Sequence, residues 1–446
     1  MIGIKSRNPS IPAGEVWLDI SRLLYRIFRA KITGIDRVEI AYAEQLLSSL
    51  TEQTRFVAYD YWRGSFRSLP QAQTSALIRD IAPAWRDGEM RKLSRRSFKA
   101  LAGSVFTAPA VPRYKGGPRA SYINVSSHPL HLVDHVGKMM HRTGAVFIPL
   151  VHDLIPLTYP EYVPPNWGDQ HRSRLKTIAG YADGIISNSM ATTAALREHI
   201  PQLPIATIPL GVGELMAPMA APFGHPRPYF IMVGTIEPRK HHLLLLHVWR
   251  RMVKIFGNNA PDLMIVGRRG WENEQIVDIL ERCSDIKTHV RECGVVADGE
   301  LTRMIAGARA LLMPSFAEGY GLPVVEALAM GVPVLCSDIE AHREVGKCVP
   351  EFIDPLDGTG WMEKILDYTT DQDGVRTAQL ARLAHWARPL WAEHVATMLD
   401  FVAQVDPRRP VVQSSWSRTM LATSVRSTQA MKPASAVSAI TSQRIG

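Results

Sequence analysis

Two glutamates eight residues apart, Glu318 and Glu326, bracket a glycine-containing turn in the segment MPSFAEGYGLPVVEALAMGVPVLCSD (313–338). The apolar run before Pro314 reads as a strand, and Pro323 suits the start of a helix. Between them, SFAEGYG forms a loop at the carboxyl edge of a sheet. Gly319 and Gly321 let the backbone approach a ligand closely. The amides from Gly319 through Tyr320 and Gly321 to Leu322 sit where a helix offers free N–H groups and partial positive charge. This is a phosphate cradle without the lysine of a Walker loop. Glu318 lies in the loop and Glu326 on the first turn of the helix, so the pair can address two parts of one elongated ligand.

Three more segments carry chemistry. In YFIMVGTIEPRKHHLLLLHVW (229–249), Gly234 closes a strand, Thr235 follows it, and Arg239 and Lys240 come just before a helix. Two cations there can neutralise a pyrophosphate leaving group. In VHDLIPLTYPEYVPP (151–165), His152 follows an apolar strand, where ligands gather in doubly wound sheets. Asp153 either orients its imidazole or caps the loop. In TGIDRV (33–38), Thr33 and Gly34 precede an amphipathic helix, and Gly34 can contact a ligand through its backbone. The stretch before it carries Arg22, Arg26, Arg29 and Lys31, which can equally form a basic face for a membrane surface.

Glu318 to Glu326 is similar to the EX7E signature of retaining glycosyltransferases of the GT-B fold, and EGYGLPVVEALAMGVPV resembles family 4 of that group. The resemblance covers most of residues 16–403 and weakens before residue 145. It implies that Glu318 lies by the donor sugar hydroxyls and that Glu326 binds the ribose. Arg239 and Lys240 would face the diphosphate, His152 would approach the donor sugar, and Gly34 would lie near the donor phosphates. Relatives carry an arginine where this chain has Thr235, which leaves open which of Arg239 and Lys240 touches phosphate. The donor is then a nucleotide-diphospho sugar, with no cofactor and no metal. TGIDRV, VHDLIPL and VGTIEPRK resemble bacterial mannosyl- and rhamnosyltransferases for surface polysaccharide. The expected function is transfer of a hexosyl group, mannose favoured, to a lipid-linked oligosaccharide or polysaccharide in cell-surface polysaccharide synthesis, with a polyprenyl-diphosphate-linked glycan as the acceptor partner. The alternative is a non-catalytic GT-B scaffold in a glycan assembly complex, which has little reason to keep this residue set.

Other spacings carry no such chemistry. His128, His131 and His135 stand at helical spacing, but Pro129 and the scarcity of carboxylates argue against a metal. Asp371-Gln372-Asp373 has a DxD spacing but sits in the polar stretch TTDQDG, which reads as a turn. No G-x-G-x-x-G follows the first strand, which argues against a nicotinamide enzyme. Cys283, Cys293, Cys336 and Cys348 lack paired spacing and read as unpaired buried thiols.

The elements that must position these residues are short β-branched runs alternating with amphipathic segments, the pattern of parallel sheets covered by helices. Strands are predicted near 16–20, 56–60, 122–126, 145–151, 184–188 and 205–209, with helices near 35–50, 130–142, 168–182 and 190–199, the last capped by Ser189. A stretch rich in proline and glycine, 209–228, then interrupts the pattern. The alternation restarts at YFIMV, with a strand near 287–291 among its later elements. The expectation is α/β with two Rossmann-like doubly wound domains facing a central cleft. The first, 1–208, would bind acceptor; 209–228 is a linker; 229–388 would bind the nucleotide sugar. Residues 389–403 would form a helix returning to the first domain, and 404–446 a disordered basic tail.

Composition agrees with a folded protein of 446 residues, 46% hydrophobic and 21% charged. No apolar run reaches the length of a spanning helix, and MIGIKSRNPS lacks the apolar stretch of a secretory signal. The net charge of +9 is uneven: from Arg86 to Arg119, nine basic residues stand against Asp87 and Glu89. Arg91, Lys92, Arg95, Arg96 and Lys99 in that stretch are candidates to hold the acceptor or an anionic membrane surface. A cytoplasmic protein bound peripherally to the inner face of the membrane is expected, with no nucleic-acid partner.

Overall fold

The computed structural model describes residues 10–26, 33–86, 107–213 and 223–408. Arg29, Lys31, the basic positions Arg91, Lys92, Arg95, Arg96 and Lys99, the middle of the 209–228 stretch and the tail from residue 409 lie outside them.

Two sheets organise the chain. The first contains β1 (Val16–Asp19), β2 (Thr54–Asp60), β3 (Ser65–Ser68), β4 (Ser121–Asn124), β5 (Val146–Val151), β6 (Ile185–Ser187) and β7 (Ile205–Thr207), in the order β3-β2-β1-β4-β5-β6-β7. Its pairs are parallel except β2–β3, an antiparallel hairpin the sequence reading missed. The second sheet is parallel among the described residues. It has β8 (Tyr229–Val233), β9 (Asp262–Val266), β10 (Val290–Gly294), β11 (Leu311–Met313), β12 (Val334–Ser337) and β13 (Glu351–Ile353), in the order β10-β9-β8-β11-β12-β13. The predicted strand near 287–291 thus lies slightly later, because Ser284–Ile286 form a 3-10 turn first.

Strand order reverses between β1 and β4 in one sheet and between β8 and β11 in the other. Each reversal opens a crevice at the carboxyl ends, where neighbouring crossovers leave in opposite directions. The strands are buried through both faces, so they read as near-continuous apolar runs such as FIMV and LMIV.

Local chemistry starts the helices that line the crevices. Helix α1 is Ser21–Arg26 and α2 is Gly34–Ser49. Thr33 caps α2, with its N–H donating 2.8 Å to Asp36, a capping box. Asp36 also accepts Arg22 at 2.7 Å and Arg26 at 2.9 Å. Those two arginines therefore staple α1 to α2 rather than forming the basic membrane face that is the alternative reading of this stretch.

The chain crosses between the sheets twice. After β7 it passes through Leu210 and Val212, and it returns through Pro389 into α14 (Trp391–Gln404). At the crossing the Val212 N–H donates to the Pro389 carbonyl at 3.0 Å, and Val212 bridges Leu390 in parallel register. Helix α14 packs on α2, where His394 is 2% exposed. Its Nδ1–H donates to the Pro209 carbonyl at 2.8 Å, so Nε2 accepts the Tyr42 hydroxyl at 2.6 Å.

Burial lowers the His394 pKa from 6.5 to about 4. The unfolded chain therefore takes the proton first as pH falls. The stability carried by neutral His394 is intact above pH 6.5 and is lost between pH 6.5 and about 4, about 3 kcal/mol in all. Urea denaturation at pH 7 and pH 5 is expected to show His394→Gln with a shallower loss than the parent. Equal slopes would show that this histidine is not the sensitive group.

Candidate active site

The second crevice holds a dense charge cluster. After β8, Gly234 and Thr235 lead into a 3-10 turn, Pro238–Lys240, and then α7 (His242–Phe256). After β11 the chain runs through Ser315 and Glu318 to α10 (Leu322–Ala329). The two loops lock together: the Phe316 N–H donates to the Arg239 carbonyl at 2.9 Å, and the Phe316 and His241 rings are 4.2 Å apart.

Glu318 is gripped from both sides. Lys240 Nζ lies 2.6 Å from Oε1, and Arg239 lies 2.8 Å from Oε2. Arg239 also reaches Glu237 at 2.6 Å. Burial alone would raise the Glu318 pKa, but Arg239 and Lys240 outweigh it and hold the carboxyl well below the usual range. Burial lowers Lys240, while Glu318 and Glu237 overcome burial to raise Arg239. Two cations and two carboxylates form a closed, neutral quartet. A phosphate entering here must share Arg239 and Lys240 with carboxylates already in place.

Gly321 ends the loop at φ +96°, a left-handed conformation glycine adopts without strain, and turns the chain into α10. Glu326 is the fifth residue of that helix. It therefore stands on the second turn, not the first, because the helix starts one residue before Pro323. Burial raises its pKa, with Arg37 opposing and Asp298 reinforcing. Arg37 belongs to α2, on the opposite side of the cleft, and forms an ion pair with Asp298 at the start of α9 (Asp298–Gly307). A Cβ on Gly34 would stand 3.3 Å from Leu322 Cδ1. Gly34, Arg37, Leu322 and Glu326 are thus brought together.

His152 sits across the cleft from Glu318. Its Nε2–H donates to the Val125 carbonyl at 2.7 Å, which leaves Nδ1 as an acceptor. Burial lowers its pKa. Its own carbonyl faces Gly319, where a Cβ would come within 2.3 Å. Ser189, the predicted cap of α6 (Met190–His199), accepts the Thr192 N–H and donates to the Gly319 carbonyl at 2.7 Å. Asp153 caps the following turn by accepting the Ile155 N–H at 3.1 Å, the second of its two expected roles.

Some expectations are corrected. The Tyr320 side chain is not in the cleft: it is buried, and its hydroxyl donates 2.8 Å to Leu210 at the chain crossing. Only its backbone remains available there. His128, His131 and His135 do not share a helix, because α4 (Val133–Thr143) begins after the first two. Of the cysteines only Cys336 is buried, and Cys348 is exposed. Thr235 faces Gly270, in the loop after β9. Asp371 lies in a turn, as read, and caps α13 (Val375–Leu383) through Thr377 at 2.7 Å.

Sequence reasoning missed Glu237, Arg37, Asp298 and His342. His342 is fully buried beside Gly321, with Nε2 lacking a partner among the described residues, and its charge environment includes Glu318. The pairing of Arg37 with Asp298 spans 261 residues, which no local pattern reveals.

Two facing α/β sheets with a cleft at their carboxyl edges define the GT-B fold, and solved structures agree. Sucrose-phosphate synthase of Thermosynechococcus elongatus matches at TM-score 0.59 and 15% identity, over 88% of this chain and 98% of that one. WaaG, a glycosyltransferase involved in lipopolysaccharide biosynthesis, matches at 0.55 and 12%, over 87% and 100%. The chain has the GT-B fold, and its residues 227–371 match the model of the family described as glycosyl transferases group 1. O-antigen chain mannosyltransferase B of Escherichia coli is 29% identical over 54% of this chain and 65% of its own length. The phosphatidyl-myo-inositol mannosyltransferase of Mycolicibacterium smegmatis is 32% identical over 33% of this chain and 36% of its own length. The match to these curated relatives spans less than two thirds of their length.

Proposed function

We propose that this protein is a retaining, metal-independent glycosyltransferase that moves a mannosyl group from a nucleotide-diphospho sugar to a lipid-linked glycan in O-antigen-type surface polysaccharide synthesis. The observation that carries it is the Glu318–Lys240–Arg239 cluster at the strand-order reversal, beside the start of α10. The mannosyltransferases among its relatives support the sugar.

As the glycosidic bond breaks, charge develops on the leaving diphosphate. Arg239, Lys240 and the amides from Gly319 to Leu322 stabilise that charge in a site from which water is largely excluded. Glu318 lies beside the sugar, Glu326 takes the ribose hydroxyls, and His152 Nδ1 accepts a hydrogen bond from sugar or acceptor. The sugar acquires oxocarbenium character, and the acceptor attacks from the face of departure.

Calorimetric titration with GDP, UDP, dTDP and ADP tests the reading. Selective binding of GDP, weakened about tenfold or more in Glu326→Ala, is the expected result. No binding of any nucleotide by folded protein would move the weight to a non-catalytic scaffold.

The reading also sets the protein on an anionic membrane surface through the stretch around Arg95. No helix among the described residues is long and apolar enough to cross a membrane. Neutralising Arg95, Arg96 and Lys99 together is expected to release the protein from anionic vesicles. Unchanged vesicle binding would overturn that role.

A further inference from the structure

At the carboxyl edge of the first sheet, four pieces of chain bring basic side chains together. Helix α1 contributes Arg22, and the loop after β4 contributes His128 and His131. Helix α5 (Trp167–Tyr181) contributes His171 and Arg174, and the loop after β5 contributes His152. Thr177 ties α5 to the β4 loop by donating 2.6 Å to the Leu130 carbonyl. The His128 and His131 rings are 6.1 Å apart.

Some of these groups have partners. Arg22 is held by Asp36, and the Tyr61 hydroxyl lies 2.5 Å from His128 Nε2. The others do not. Among the described residues no carboxylate pairs with Arg174, and its Nε is buried without a hydrogen-bond partner. The Nδ1 atoms of His131 and His171 are buried and unpartnered as well, and His171 is only 8% exposed. Burial, then the nearby Arg22, lower the Arg174 pKa, and burial lowers both histidines. Asp153 opposes these effects at Arg174 and His171, and its charge also reaches Arg239.

Buried donors left unpaired are costly, and such a group is commonly explained by an ion or water at the site. A guanidinium flanked by two imidazoles suits a tetrahedral anion with several acceptor oxygens. We propose that Arg174, with His131 and His171 beside it, binds a phosphate group of the acceptor, on the His152 side of the cleft. The acceptor role rests on the glycosyltransferase reading; the phosphate site does not. It is separate from the Arg239–Lys240 cluster and has a carboxylate, Asp153, within reach of both. The phosphate belongs either to a lipid-linked diphosphate or to a phosphorylated sugar.

The test is calorimetry on the full chain with inorganic pyrophosphate, at about 0.15 M salt to screen the exposed basic surface. The parent should take two pyrophosphates, one of them displaced by GDP. The GDP-saturated protein should keep the other, at least about tenfold weaker in Arg174→Met and in His131→Gln. The second variant serves if the first fails to fold. A GDP-saturated protein that takes no pyrophosphate, or binding that survives both substitutions, overturns the proposal. If GDP does not bind but an Arg174-dependent site persists, the donor reading fails and the phosphate site stands. Tighter binding of farnesyl diphosphate than of pyrophosphate at this site assigns it to a lipid-linked acceptor. Tighter binding of mannose 1-phosphate assigns it to a phosphorylated sugar.

Discussion

Replacing Glu318 with glutamine is expected to reduce sugar transfer about 10³-fold while tightening the binding of a nucleoside diphosphate. The two effects have one cause. Glu318 sits 2.6 Å from Lys240 and 2.8 Å from Arg239, and it competes with any phosphate for both. Glutamine removes the competing charge and leaves two cations facing Glu237 alone. A diphosphate then restores neutrality, so its affinity should rise about tenfold. Without ligand the same change leaves a buried charge uncompensated, and the unliganded fold should lose about 3 kcal/mol. Melting curves with and without GDP would show that loss recovered on binding. The carboxyl is held well below its ordinary 4.5, so its contribution is present above that value. It is lost only as the pH falls through the much lower folded value, and the comparison is insensitive to pH from about 5 to 8. A variant that loses diphosphate affinity in step with activity would sink this account.

Gly319→Ala is the second large effect. Gly319 does not need a left-handed backbone, so alanine meets no conformational penalty of its own. The obstacle is the opposite side of the cleft. A Cβ at this position would come within 2.3 Å of the His152 carbonyl oxygen and 2.8 Å of Asp153 Cβ. Neither atom is the end of a flexible side chain, so the two sheets must part. The bond from Ser189 to the Gly319 carbonyl would open with them. Displacing the reacting groups by about 1 Å costs of order 10²-fold in rate. Transfer should fall by about that factor, small-angle scattering should report a wider cleft, and GDP affinity should stay near the parent value. An alanine variant with parental activity would mean that this contact opens during turnover anyway.

The sequence carried much of this site because its parts are local. Glu318, Gly319, Gly321 and Glu326 lie within nine residues, and Arg239 and Lys240 are adjacent. The strand-then-loop pattern that presents them is a property of short segments. Ser189 is legible for the same reason, since its capping bond reaches Thr192, three residues on. What was not legible depends on long separations. Arg37 meets Asp298 only after both sheets have formed and faced each other. Tyr320 turns away because Leu210 supplies a carbonyl 110 positions earlier in the chain. The helix start at the histidines is a different case. His128 and His131 have helical spacing, but their loop places them before the first turn of α4. The β2–β3 hairpin escaped notice because the short strand Ser65–Ser68 has one buried position and no alternating run to announce it.

The paired crossing at Val212 and Leu390 also has a mechanical meaning. Two segments of one chain pass between the sheets, and they are hydrogen-bonded to each other where they pass. A single tether would let the halves tumble and twist independently. Two tethers fastened side by side act as the pin of a door, removing sliding and most of the twist and leaving one swing. A joint of this kind would make any opening retrace one arc and bring Gly319 back to the same place against His152. Registration at the cleft mouth is then set by a joint at its back, whatever the sheets do in between.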